Sequence, residues 1–264
     1  MLDEDTLAPA WRREFRGPLY SDSADQVARE EPLEIRIAGV PVAVTMRTPG
    51  HDEELVRGFL TSERVMQAAD IASVRPCTDA DSENVILVVP RAGVELDLAR
   101  LRRNFYASSS CGVCGKATLD GALACAPPLP DGPVIAASLL YQLPARLRAE
   151  QATFAATGGL HAAGLFSEAG ELLCVREDVG RHNAVDKVIG WASLHAVTPA
   201  LLLVSGRVAF EIVQKTLAAR IPILAAVSAP TSLAVDLAER ANVTLCGFLR
   251  GERVCIYSAP ARIA

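Results

Sequence analysis

The chain has no run of about 18 consecutive apolar residues, so it offers no helix for crossing a membrane. Its N-terminus, "MLDEDTLAPAWRREF", puts acid where a signal peptide needs a basic region, and no apolar stretch follows. The expectation is a cytoplasmic protein. Positive charge is not in excess either: 26 basic residues stand against 31 acidic ones, a formal net charge of −5. General binding to nucleic acid therefore lacks an electrostatic basis, which leaves only local basic pockets open. Lysine is scarce, confined to Lys116, Lys187 and Lys215, and there is no internal repeat or low-complexity tract. Seven cysteines make an odd number, in a chain too large to need disulfide staples.

What is present is a large apolar fraction, half of 264 residues, enough for one large core or two smaller ones. Residues 1–31 are polar and read as a loose N-terminal segment. Residues 32–106 read as a small α+β domain. "LEIRIAGVPVAVTM" alternates about a turn as a hairpin does, "HDEELVRGFLTSERVM" has helical apolar spacing, and "ENVILVVP" is a strand. "VELDLARLRR" fits a strand or a short helix. Residues 107–133 hold the paired cysteines and a proline-rich link that breaks regular structure. "AASLLYQLPARLRAEQ" then reads as helical, with Pro144 as a kink.

Residues 134–264 alternate strand and helix. "ELLCVRED", "ALLLVSG", "IPILAAVSA" and "VTLCGFL" are strands, and helices follow the first three. The nearly continuous apolar runs predict strands covered on both faces, hence a layered α/β sheet that is parallel at least in part. "GFLRGERVCIYS" predicts a closing hairpin about Gly251.

Five isolated cysteines, Cys77, Cys125, Cys174, Cys246 and Cys255, read as small core residues. Cys111 and Cys114 differ, because C-x-x-C brings two sulfurs within reach of one metal ion or of each other. Zinc would need further ligands; there is no second C-x-x-C, although His161 or His182 would complete a mixed site. A redox motif would open a helix, which "SSSCGVCG" is too rich in serine and glycine to do. A glycine-bearing polar loop suits a nucleophilic thiolate that visits two places, with Arg102, Arg103 and Lys116 near in sequence. All of these readings stay open at this point.

Five further stretches carry chemistry. "TGGLHAAGLF" sets His161 among small residues that leave room for a ligand. "REDVGRHNAVDK" packs Arg181, His182, Asn183, Asp186 and Lys187 into a helix start, where Asp186 lies i+4 from His182 and can orient it. "VSGRVAF" and "VSAPTSL" end apolar strands and open helices, bringing Ser205, Gly206, Arg207, Ser228 and Thr231 to turns that expose backbone N–H groups. Helix starts at Arg181, Arg207 and Thr231 would converge on the crevice beyond the strands, which suits an anionic, nucleotide-like ligand. Arg250 and Arg253 flank Gly251 as candidate clamps.

"SSCGVCG", "TGGLHAAGLF", "REDVGRHNAVDKVIGW", "VSGRVAFEIVQK", "AAVSAPTSLAVDLAE" and "GFLRGERV", in this order, resemble the FdhD family of formate dehydrogenase accessory sulfurtransferases. The resemblance implies a sulfur carrier. It takes sulfur from a cysteine desulfurase as a persulfide on Cys111, with Cys114 assisting or resolving. It hands the sulfur to the molybdenum cofactor, a bis-molybdopterin guanine dinucleotide, before insertion into the formate dehydrogenase apoprotein. It also implies that Phe248, Leu249, Arg250, Gly251, Glu252 and Arg253 touch that cofactor, that the core is cytidine-deaminase-like, and that the assembly is a homodimer with no resident metal. Deaminase chemistry itself is not expected. His161-Ala162-Ala163 lacks the glutamate of H-x-E, the cysteines precede the histidine, and Ser110 stands where that motif has proline. A cofactor-sheltering chaperone and a zinc module are the alternatives.

Overall fold

The computed structural model of the chain describes residues 3–78, 84–94 and 126–264, which build three sheets. Strands β1 (Leu7–Arg16) and β2 (Leu19–Ala28) pair antiparallel as a ribbon of their own. The sequence reading of a loose segment missed this ribbon, because most of its residues are exposed and no buried face marks the period. It is laced instead by cross-strand ion pairs, Arg13–Asp22 at 2.7 Å and Arg12–Asp25 at 3.2 Å.

The expected hairpin is β3 (Glu31–Ile37) and β4 (Val40–Arg47), turning at Ala38 and Gly39. With β5 (Ile71–Pro76) and β6 (Val85–Pro90) these strands form a sheet of order β4-β3-β6-β5. Helix α1 (Asp52–Ser62) has three acids in its first turn, where they favour the helix dipole. Its Leu55, Val56 and Leu60 join Leu33, Ile35, Ile37 and Val88 in one core. "VELDLARLRR" lies outside the described residues apart from its first position, Val94.

The second half is the mixed α/β layer that the apolar runs predicted. Short helices α2 (Ala137–Leu140), α3 (Leu143–Ala149) and α4 (Ala152–Thr157) lead into it. Pro144 sits in the first turn of α3 and so separates two helices instead of kinking one. Strands β7 (His161–Phe166), β8 (Leu172–Asp178), β9 (Leu201–Val204), β10 (Ile223–Ala226), β11 (Thr244–Arg250) and β12 (Arg253–Ser258) follow, in sheet order β12-β11-β10-β9-β7-β8. Strands β9, β10 and β11 are mutually parallel, while β7 runs against both β8 and β9. All four residues of β9 and of β10 are buried, as strands covered on both faces must be. Helices α5 (Arg181–Leu194), α6 (Phe210–Ala218) and α7 (Ser232–Arg240) complete the layer.

Helices α1 and α5 join the two halves. A Cβ on Gly58 would lie 1.8 Å from the backbone oxygen of Asp186, and one on Gly190 would lie 1.8 Å from that of Glu54. Only glycine permits this approach.

Candidate functional site

Strand directions decide what gathers at one edge of the large sheet. Strands β8, β9 and β10 end there, and helices α5, α6 and α7 begin just beyond them. Because β7 runs the other way, its first residue, His161, reaches the same edge and pairs with Asp178 at the end of β8. The Ser205 hydroxyl accepts the Ala162 N–H at 2.9 Å, and the Ser205 N–H donates to the Ala162 carbonyl at 3.0 Å. His161 lies over Gly206, where a Cβ would come within 3.3 Å of Nδ1. Burial, then the Arg181 guanidinium, push the His161 pKa below its ordinary value against the pull of Asp178, so the ring is neutral at pH 7.

A second group forms where β11 meets the turn after β10. The Phe248 N–H donates to the Ser228 carbonyl at 3.1 Å, and Arg250 Nε donates to the Val227 carbonyl at 3.1 Å. Phe248 has a φ of 52°, inside a register shift between Gly247 and Arg250. An aromatic residue in that left-handed region at a bulge is a marked departure from ordinary strand backbone. The two groups are stitched together. The Val208 N–H donates to the Ala229 carbonyl at 3.1 Å, and the Thr231 N–H donates to the Val208 carbonyl at 2.9 Å.

This stitching corrects one expectation. Val208 is committed to a bridge with Pro230, so α6 starts at Phe210 and Arg207 stays in the exposed turn before it. Thr231 does cap α7 by position, but its side chain makes no capping bond. Leu249 is fully buried in the core, whereas Arg250, Gly251, Glu252 and Arg253 are exposed. Arg253 Nη2 reaches the Cys255 sulfur at 3.9 Å. The edge thus offers three helix N-termini, a neutral imidazole and the guanidinium groups of Arg181, Arg207 and Arg250, a donor set that fits phosphate-bearing ligands.

"REDVGRHNAVDK" divides between this edge and the interior. Asp178 is fully buried and fully used. Oδ1 accepts from the Gly180 N–H at 2.8 Å and from Asn183 Nδ2 at 3.0 Å; Oδ2 accepts from the Thr48 N–H at 3.2 Å and lies 2.8 Å from Lys187 Nζ. Asn183 Nδ2 also donates to the Met46 carbonyl at 2.7 Å, which ties α5 to the end of β4. Asp186 does not orient His182. It accepts from Ser62 at 2.7 Å and pairs with Lys215 at 2.9 Å, and Lys215 reaches Glu63 at 2.8 Å. Burial works against the Lys215 ammonium, but Asp186 and Glu63 outweigh it and hold its proton above the ordinary lysine range. His182 Nε2 is buried without a hydrogen-bond partner among the described residues. Burial, Arg181 and Lys215 push its pKa down to about 4, against Glu211 and Glu63.

The sequence reading missed this ion-pair network, including the pair of Arg176 and Glu54 at 2.6 and 2.7 Å. Its one signal was the scarcity of lysine: both lysines in the described residues are buried in it. Cys111 and Cys114, with Arg102, Arg103, Lys116 and Cys125, lie outside the described residues. Of the other isolated cysteines, Cys174 and Cys246 are buried, and burial pushes both thiols up to about 12. Cys77 and Cys255 are half-exposed. No group of three or more metal-ligating side chains occurs among the described residues, and none of their helices is long and apolar enough to cross a membrane.

The FdhD/NarQ family profile matches residues 28–264. The sulfur carrier protein FdhD of Nocardia farcinica is 54% identical over 250 residues, covering 90% of this chain and 88% of that one. Its namesake in Streptomyces coelicolor is 50% identical over 262 residues, covering 95% and 93%. A crystal structure from Desulfotalea psychrophila, described as a candidate formate dehydrogenase accessory protein, superposes with a TM-score of 0.81 at 26% identity, covering 98% of this chain and 100% of that one.

Proposed function

The chain belongs to the FdhD/NarQ family, and on that premise we propose that it is a cytoplasmic sulfur carrier serving formate dehydrogenase. Cys111 is the carrier thiol. Its thiolate attacks the outer sulfur of a cysteine desulfurase persulfide, the desulfurase S–S bond breaks, and the desulfurase cysteine leaves as thiolate. Cys111 then holds the sulfur as its own persulfide, with Cys114 positioned in sequence to assist or resolve. In the second step the acceptor takes the outer sulfur and Cys111 returns to thiolate. The acceptor is the molybdenum cofactor in its bis-molybdopterin guanine dinucleotide form, bound as substrate before its insertion into the apoenzyme.

The observation that carries this reading is the sheet edge where α5, α6 and α7 all begin, beside His161, Arg181 and Arg250. Two guanine nucleotide tails bring several phosphate charges, and such an edge meets anions with N–H donors, dipole ends and guanidinium groups together. The Phe248 to Arg253 turn borders the same edge and supplies further contacts. Neutral His161 adds a hydrogen-bonding group without charge.

The deciding experiment treats the protein with a cysteine desulfurase and cysteine, then maps added sulfur by peptide mass spectrometry. Added sulfur on Cys111, lost in Cys111→Ala together with formate dehydrogenase maturation, is the expected result. A protein that gains no sulfur yet supports maturation is a cofactor-sheltering chaperone. Stoichiometric zinc that disappears in Cys111→Ser makes the pair a metal site. In parallel, Arg250→Ala should weaken guanine nucleotide binding by roughly tenfold, as loss of a charge-assisted contact does. Unchanged binding would remove the turn from the site.

A further inference from the structure

The proline-rich link that begins at Ala126 is pinned to the far ends of helices α6 and α7. The Leu129 N–H donates to the Ala241 carbonyl at 2.9 Å, and Asn242 Nδ2 donates to the Leu129 carbonyl at 2.9 Å. Arg220 Nη1 donates to the Pro127 carbonyl at 2.8 Å. Beside these ties lies an open groove of about 260 Å³. Leu217, Leu233, Leu237 and Ala241 line it from the two helices, and Ala126 and Pro128 line it from the link. Leu233 is 44% exposed, a large apolar side chain that stands outside the core. Asp236 and Arg240, about one turn of α7 apart, border the groove, and neither has an ion-pair partner among the described residues.

A hollow smaller than the roughly 300–1,000 Å³ of small-molecule sites suits inserted side chains better than a metabolite. We propose that this groove is the seat of the chain's own residues 116–125, "KATLDGALAC", whose leucines fill it.

Three observations select this occupant. The first is position: the segment runs into Ala126, itself part of the groove wall, so it meets the groove at a far higher effective concentration than a free partner does. The second is pattern. Leu119, Ala122, Leu123 and Ala126 recur at the i, i+3, i+4, i+7 spacing that lays one apolar stripe along a helix. The third is charge. Lys116 and Asp120 flank that stripe four residues apart, and Asp236 and Arg240 repeat the spacing on α7 with the opposite signs. Because the link starts at the last turn of α7, a segment lying in the groove runs in the same direction as α7. That course sets Lys116 toward Asp236 and Asp120 toward Arg240.

Cys114 precedes Ala126 by 12 residues, roughly 18 Å at helical rise, against roughly 13 Å for the 9 residues of α7. Docked in this way, the segment brings Cys114 and Cys111 past Leu233 to the start of α7, at the sheet edge that holds His161 and Arg181. The docking stands apart from the carrier reading; only this use of it rests on that reading.

Hydrogen exchange of the full chain, read by peptide mass spectrometry with no desulfurase, cysteine or nucleotide present, tests the docking. Amides of residues 117–125 should exchange at least tenfold more slowly than in a synthetic peptide of the same sequence. Leu233→Arg in the groove and Leu123→Asp in the segment should each abolish that protection, and the double variant should do no more than either alone. Should Leu233→Arg fail to fold, charge reversal decides: Asp236→Lys should lower protection roughly threefold, and Lys116→Asp/Asp236→Lys should restore it. Unprotected amides in the wild type, or protection that neither Leu233→Arg nor Asp236→Lys reduces, would overturn the proposal. So would protection that appears only after a cysteine desulfurase is added, which would give the groove to that partner. Persulfide on Cys111 is measured in a separate reaction, so failure of the docking leaves the carrier reading standing, and the reverse.

Discussion

Lys215 and Asp186 are both almost fully buried, and their attraction is useful only while both are present. Removing one leaves the other as an unpaired charge out of water. Lys215→Met should therefore cost about 3–5 kcal/mol in chemical denaturation, and Lys215→Met/Asp186→Leu should recover much of that loss. His182 gives a pH signature. Its folded pKa, down to about 4, lies below the unfolded value of 6.5, so the unfolded chain binds the extra proton between those limits. Stability should fall as pH drops from about 6.5 to about 4, by on the order of 2 kcal/mol with partial solvent screening, and His182→Asn should flatten that slope in pH-dependent melts. At this scale the sequence was partly legible. Residue type and crowding marked "REDVGRHNAVDK" as special, but pairing was not readable. Asp186 meets Ser62 and Lys215 across sequence separations of 124 and 29, which no i+4 rule reaches.

The reciprocal glycine contact of α1 with α5 fixes how the two halves meet. Each Cβ position is filled by the other helix's backbone, which cannot yield as a flexible side chain would. Gly58→Val or Gly190→Val should each cost more than about 3 kcal/mol, read as a shift in denaturant midpoint at unchanged slope. Loss below about 1 kcal/mol would mean that the helices part easily. Many elements with a buried face were legible: α1, α5, α7 and strands β3, β4, β6, β8, β9, β10 and β11 follow the apolar periods, whereas β5 and β7 were not read as strands. The ribbon was not, because its alternation is aromatic against polar with neither side in the core. The start of α6 was displaced by three residues, because a bridge between two distant turns outranks local helix signals at Arg207 and Val208.

Across the molecule, buried polar links run from the first half to the second at several independent points: Thr48 to Asp178 and Lys187, Met46 to Asn183, Ser62 to Asp186, and Glu54 to Arg176. Calorimetry should accordingly show one cooperative transition, and two separated peaks would contradict that coupling. Burial raises the Glu54 pKa, but His51 and Arg176 outweigh it and bring it down to about 2. The stability from this pair is complete above the unfolded value near 4.5 and is lost as pH falls toward about 2. Arg176→Met should weaken that acid-limb dependence, leaving the part that His51 supplies. Fold class and sheet edge were readable from strand–helix order alone, whereas the direction of β7, which carries His161 to that edge, was not.

Where α1 crosses α5, main chain touches main chain with no cushion of side chains to shear. Rocking one half upon the other would have to part that clasp, so a hinge between the first sheet and the crevice would need Gly58 and Gly190 to lift away from the facing backbone.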